Sequence, residues 1–112
     1  MTPRPDWYCE EVLSGKLSVD KLWEDERVLA FHHPRPLPTE KLHIVIIPKA
    51  HIGSLLAPEA LDGALLVSIL TAVQVLAKEF NLDGPGFYLR VNAGSDGVTP
   101  HMHWHLYGPG IP

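Results

Sequence analysis

The chain has 112 residues, 46% of them hydrophobic and 20% charged, and carries a formal net charge of -4 when its seven histidines are counted neutral. That length fits one domain with one core, and the composition excludes disordered, collagen-like and coiled-coil classes. A net negative chain has no global basic field for a nucleic-acid backbone, so no nucleic-acid partner is expected and any phosphate must be held by local groups.

Cys9 is the single cysteine, which excludes an internal disulfide and suits a reducing compartment. The first residues carry prolines and acids where a secretory leader needs an apolar core, so no targeting segment is expected. The apolar stretch from Ala64 to Ala77 is interrupted by Ser68, Thr71 and Gln74 and falls short of the roughly 20 residues of a membrane span. A cytoplasmic protein without a membrane partner is the expectation.

Asp6 to Ser14 reads as a short helix with Asp6 as N-cap and Gly15 as its stop. Leu17 to Trp23 and Arg27 to Phe31 flank an acidic turn and read as a hairpin. His32 to Glu40 is too rich in proline for regular structure. Lys41 to Ile47 is rich in β-branched residues and stops at Pro48, as a strand buried on most of its surface does. Leu61, Leu65, Ile69, Ala72, Leu76 and Phe80 recur at spacings of three and four, predicting a helix over Pro58 to Phe80. Asn81 and the run Asp83-Gly84-Pro85-Gly86 end it. Phe87 to Asn92 and His103 to Tyr107 follow as strands around a loop from Ala93 to Pro100. Strands, one long helix and further strands predict an α+β domain whose antiparallel sheet is covered on one face.

The segment His101-Met102-His103-Trp104-His105-Leu106-Tyr107 carries the chemistry. In a strand, alternation puts His101, His103 and His105 on one face, about 6.5 Å apart, and Met102, Trp104 and Leu106 on the other. Such a row is either a solvated face or a site. Imidazoles could ligate a metal such as zinc or act as nucleophile and acid–base groups at phosphorus near pH 7. Only Gly108-Pro109-Gly110-Ile111-Pro112 follows the triad, so a metal site has to draw its other ligands from upstream.

HMHWHLY resembles the His-x-His-x-His-x-x motif of the histidine triad (HIT) family. The block from His43 through Pro48, Lys49 and His51 to Ile52 resembles that family's strand ending in Pro-Lys-x-His-Ile, and Leu29-Ala30-Phe31-His32 resembles its nucleotide-pocket strand. The resemblance implies an antiparallel sheet of about five strands, with one long helix and a short N-terminal helix packed on it. It implies a homodimer that joins two sheets, and on apolar grounds Trp104 and Leu106 are core or interface anchors. By the same resemblance His103 is the nucleophile, His105 contacts the α-phosphate, and His101 with His51 forms the relay that orients His103. Asn92 bonds His103 or the substrate, the backbone N–H of His103 or His105 helps hold developing charge, and Phe31 and His32 line the nucleoside pocket.

The implied reaction cleaves a nucleoside phosphoramidate or dinucleoside polyphosphate at the α-phosphate through a nucleotidyl-histidine intermediate, with no cofactor or catalytic metal. Three departures qualify it. His33 stands where many relatives carry an acid that bonds the ribose. Thr99, two residues before the triad, replaces a serine and either donates to the leaving group or shapes the turn. Where several relatives bind structural zinc through Cys-x-x-Cys and two histidines, this chain offers Asp6, Cys9, His51 and His101. Lys49 reads as an exposed loop lysine. The rival readings are a zinc-binding protein or zinc-dependent hydrolase using the same histidines, and a nucleotide-binding module without turnover.

Overall fold

The computed structural model describes residues 6–34, 42–93 and 99–110. Most of the proline-rich connection after His32, and the middle of the loop from Ala93 to Pro100, lie outside them. Strands β1 (Lys21–Glu24), β2 (Val28–His32), β3 (Leu42–Pro48), β4 (Tyr88–Val91) and β5 (Trp104–Gly108) form one sheet in the order β1-β2-β3-β5-β4. Every pairing is antiparallel. The architecture is α+β, and no helix among the described residues is long and apolar enough to cross a membrane.

Both faces of the sheet are covered, where the patterning predicted one. Val28 and Ala30 of β2, Ile44 and Ile46 of β3 and Leu106 of β5 pack beneath Leu65, Ile69, Ala72, Val73 and Leu76 of helix α1 (Gly63–Glu79). The alternate residues Leu29, Phe31, Val45 and Ile47 form a second core with Tyr8 and Val12 of the short π-helix Tyr8–Leu13. This second layer explains why β3 is buried along nearly its whole length. Full burial of such a side chain contributes about 1.5–3 kcal/mol, so this short helix has enough apolar area to stay docked.

The element ends differ from the periodicity for local reasons. The long helix starts at Gly63, not Pro58, because the Asp62 carboxylate accepts from the N–H groups of Ala64 and Leu65 at 3.0 and 3.4 Å. Pro58–Leu61 is a separate 3-10 turn, and Leu61 is 82% exposed. At the other end Asn81 takes a positive φ of 57°, and the Leu82 N–H donates back to the Ala77 carbonyl, closing the helix in a Schellman-like turn.

β1 is shorter than Leu17 to Trp23 because residues 17–19 run along the π-helix: the Leu17 N–H donates to Glu11 and Val19 packs on the second core. The hairpin turn is held by Asp25, whose carboxylate accepts from the N–H groups of Arg27 and Val28. Asp6 caps the π-helix from just before it, accepting the Cys9 N–H at 3.0 Å, and Gly15 ends that stretch at φ +83°. β5 begins at Trp104, one residue after the predicted start, so His101 and His103 precede the ladder. Their segment is anchored instead by Met102 N–H to the Ile52 carbonyl and by a side chain of the β4 end.

Candidate active site

That side chain is Asn92. Its Oδ1 accepts the His103 N–H at 3.0 Å while its Nδ2 donates to the Gly53 carbonyl at 3.1 Å. Asn92 therefore pins the triad segment to the chain that follows β3. It also occupies the His103 N–H, which the sequence reading had offered to the developing charge on phosphorus. Thr99 acts here through its backbone, its carbonyl accepting the His101 N–H at 2.8 Å.

His103 is buried, and its Nδ1 donates to the His101 carbonyl oxygen at 2.6 Å. A carbonyl can only accept, so the proton of a neutral ring sits on Nδ1 and Nε2 keeps its lone pair. Burial lowers the pKa of this imidazole from its ordinary value, although the bond to His101 works the other way. The ring is thus held neutral in the tautomer that leaves one nitrogen able to attack.

His101 is fully buried, and both of its ring nitrogens are engaged. Nε2 donates to the Pro48 carbonyl at 2.8 Å, and Nδ1 meets the Asp6 carboxylate at 2.9 Å and Cys9 Sγ at 3.4 Å. His51 Nδ1 contacts the same Asp6 oxygen. The rings of His51 and His101 lie 5.7 Å apart. The structure brings these two together as expected, but not as a side-chain relay. What reaches the nucleophile is the His101 backbone carbonyl, because both imidazole nitrogens already face other groups.

One donor atom from each of Asp6, Cys9, His51 and His101 lies within 4.8 Å of the others. With Nε2–H donating to Pro48, a neutral His101 would turn a bare Nδ1 lone pair toward a carboxylate oxygen, which needs a proton or a cation between them. Burial raises the Asp6 carboxyl, but the Cys9 N–H and His101 outweigh it and hold its pKa at about 2. Burial and the adjacent Asp6 push the Cys9 thiol up to about 11, so a thiolate beside this carboxylate is disfavoured unless a metal cation sits between them. Two imidazoles, a carboxylate and a sulfur fit zinc, with the Pro48 carbonyl orienting one ligand.

On the other side of His103 the row of rings continues. His105 lies 4.9 Å from His103, edge to face. His105 Nδ1 is 2.7 Å from His43 Nε2. Burial first, then the neighbouring imidazoles and Arg90, lower His43 to about 4 and His105 to about 3. His43 Nδ1 is buried with no hydrogen-bond partner among the described residues.

His43 and Tyr8 are site residues that the sequence reading missed. Register brings in His43: Val45 opposes His105 and His43 opposes Tyr107, so His43 shares the triad's face. The available signal was that His43 and Val45 share parity in β3. Tyr8 enters from the π-helix, its ring 5.1 Å from His103 and 5.7 Å from His101, and its hydroxyl pKa is raised chiefly by burial.

Phe31 lies on the triad's face against Tyr8. His32 does not: it turns to the α1 face, where its ring meets Phe80 at 5.7 Å, because successive strand residues point to opposite sides. Trp104 and Leu106 pack in the α1 core. Lys49 is half-buried and paired with Glu24 at 2.7 Å, beside a cavity of about 530 Å³ that contains none of the triad.

A model of the HIT domain family matches residues 15–109. A protein of Chlamydia trachomatis serovar D, described as an uncharacterized HIT-like protein, is 32% identical over 104 residues, spanning 91% of this chain and 91% of that one. The crystal structure of a HIT family hydrolase from Legionella pneumophila Philadelphia 1 superposes with a TM-score of 0.78 at 32% identity, covering 92% of this chain and 97% of that one. A histidine triad nucleotide-binding protein from Candida albicans gives a TM-score of 0.73 at 26% identity, covering 94% and 80%.

Proposed function

The chain belongs to the HIT domain family, and on that footing we propose that it is a nucleotidyl hydrolase or transferase with His103 as nucleophile. The observation that carries this reading is the bond from His103 Nδ1 to the His101 carbonyl, which leaves Nε2 free to attack. Nε2 forms a bond to the α-phosphorus of a nucleoside phosphoramidate or dinucleoside polyphosphate, and the bond to the leaving group breaks with its electron pair. Water then displaces His103 and releases the nucleoside monophosphate. His105 contacts the α-phosphate with Nε2, since its Nδ1 is engaged by His43. Tyr8 closes the apolar side of the site 5.1 Å from His103, with the fully buried Phe31 packed against it.

Acid quench during turnover of a labelled adenosine phosphoramidate is expected to trap label on His103 through a phosphorus–nitrogen bond. His103→Ala is expected to lower the rate by about 1,000-fold or more while nucleotide still binds. Nucleotide binding without any turnover would instead favour a binding module.

The four-donor cluster favours a second assignment that coexists with the first. Asp6, Cys9, His51 and His101 hold a structural zinc ion, which would tie the N-terminal helix to the ends of β3 and of the triad loop. Purified protein is expected to carry about one zinc per chain, and Cys9→Ser to lose it. Zinc-free protein with unchanged thermal stability on zinc addition would remove this assignment. If activity disappears with chelator and no labelled protein forms, the zinc-dependent hydrolase replaces the nucleophile reading.

The family reading also carries a cytoplasmic homodimer, and Val67 and Leu70 leave apolar surface exposed on α1. A monomer by light scattering at micromolar concentration would count against it.

A further inference from the structure

The nucleophile is braced differently on its two sides. On one side the histidines hold one another: His105 stands edge to face with His103, and beyond it the His33 ring lies on that of His43 with centroids 4.4 Å apart. On the other side the ring that meets His103 among the described residues is Tyr8, at 5.1 Å with 32° between the planes. The bond from His103 Nδ1 to the His101 carbonyl fixes which nitrogen carries the proton. One hydrogen bond does not fix the ring plane, because the torsion that turns an imidazole is soft. An aromatic ring packed across it does.

Tyr8 is itself held from several directions. It is 4% exposed, with Trp7 edge-on at 5.0 Å, the His101 ring at 5.7 Å and Phe31 at 6.5 Å. The helix that carries it has six residues, too few to persist by its own hydrogen bonds, so tertiary contacts decide where the ring sits. One set is apolar, Val12 clustering with Leu29, Val45 and Ile47. The other is polar and brackets Tyr8 in the chain. Asp6 and Cys9 reach His101 Nδ1 at 2.9 and 3.4 Å, while the Cys9 N–H donates to the Asp6 carboxylate at 3.0 Å. The turn that presents Tyr8 thus grips the same residue whose carbonyl orients His103.

Resting on the hydrolase reading above, we propose that Tyr8 is a positioning residue for the nucleophile, keeping the His103 ring plane and so the direction of Nε2, and that Asp6 anchors Tyr8 in that place. The acting part is the aromatic ring and not the hydroxyl, since the contact with His103 is ring on ring. Misplacing a reacting atom by about 1 Å can cost about 100-fold in rate, so loss of the brace falls on kcat and spares KM.

Tyr8→Phe, Tyr8→Leu and Asp6→Ala are compared with the wild type by turnover of adenosine phosphoramidate and by nitrogen NMR of isotope-labelled histidine rings, at one pH at which His103 is neutral. His103→Gln assigns the resonance, and circular dichroism follows folding. Tyr8→Phe is expected to match the wild type. Tyr8→Leu is expected to lower kcat about tenfold or more with KM within about threefold, and to replace the single Nδ1–H tautomer of His103 by a mixture of both. Asp6→Ala is expected to move both readouts the same way by a smaller factor, and it carries the test if Tyr8→Leu does not fold. Wild-type kcat and a single tautomer in Tyr8→Leu, or a rise in KM alone, overturns the positioning role. A loss in Tyr8→Phe equal to that in Tyr8→Leu overturns it too, and Asp6→Ala matching the wild type in both readouts overturns the anchor. Turnover with unmoved tautomers defeats the positioning role alone; mixed tautomers in Tyr8→Leu with no turnover by the wild type defeat the hydrolase reading alone.

Discussion

The histidine row crossing the sheet ends in two places built from the same residue type and opposite surroundings. At the Asp6 end His101 has both ring nitrogens engaged, one by the Pro48 carbonyl and one by a carboxylate. At the His33 end His43 leaves one nitrogen unpaired among the described residues, and the groups acting on it are His33 and Arg90. His103 stands between, neutral and oriented by a backbone carbonyl. A histidine's role is set by what faces its two nitrogens, not by its place in a motif.

The contrast is most open to breakage at its ends. His101→Ala removes a fully buried ring with two polar partners and is expected to cost about 3 kcal/mol in urea unfolding, whereas His33→Ala, half-buried in a ring stack, should stay within about 1 kcal/mol. Equal costs would mean that the two ends are not built differently.

Acid should act on the His33 end. The folded-state pKa values of His43 and His105, about 4 and about 3, lie below the ordinary 6.5, so the unfolded chain binds more protons in that interval. Stability from this pair is complete above pH 6.5 and is lost as pH falls toward 4 and 3. After discounting for screening by solvent, the loss should be about 2 kcal/mol, read from urea midpoints between pH 7 and pH 4.5. His43→Phe should flatten that slope; an unchanged slope would place the titration elsewhere.

The middle of the row can be sharpened through Asn92. Asn92→Asp keeps an acceptor for the His103 N–H but cannot donate to the Gly53 carbonyl, an expected loss of about 1.5 kcal/mol, while Asn92→Leu should lose more and also slow turnover. The smallest effect lies outside the row. Asp62→Ala removes the cap of α1 and should lower stability by about 1 kcal/mol in thermal unfolding, leaving the acid slope unchanged.

Much of this was legible from local pattern. The histidines alternating with Met102, Trp104 and Leu106, the β-branched run before Pro48 and the helical spacing after residue 61 each reflect one element's period. Alternation could also have separated Phe31 from His32, yet the motif resemblance had put both in one pocket; period two assigns adjacent strand residues to opposite faces whatever their neighbours in a motif. The break at Asp62 was less visible, since Leu61 continues the helical spacing while the carboxylate beside it captures the first N–H groups.

The sequence by itself determined the elements, the two faces of each strand and the concentration of imidazole near the C-terminal end, because periodicity and turn chemistry act over a few residues. Only the tertiary structure decided that His43 meets His105, that His33 stacks on His43, and that Asp6 and Cys9 reach His51 and His101. Those meetings depend on strand register and on the docking of a short helix onto Phe31, Val45 and Ile47. Both are set by burial of surfaces distant in the chain, which no local pattern encodes.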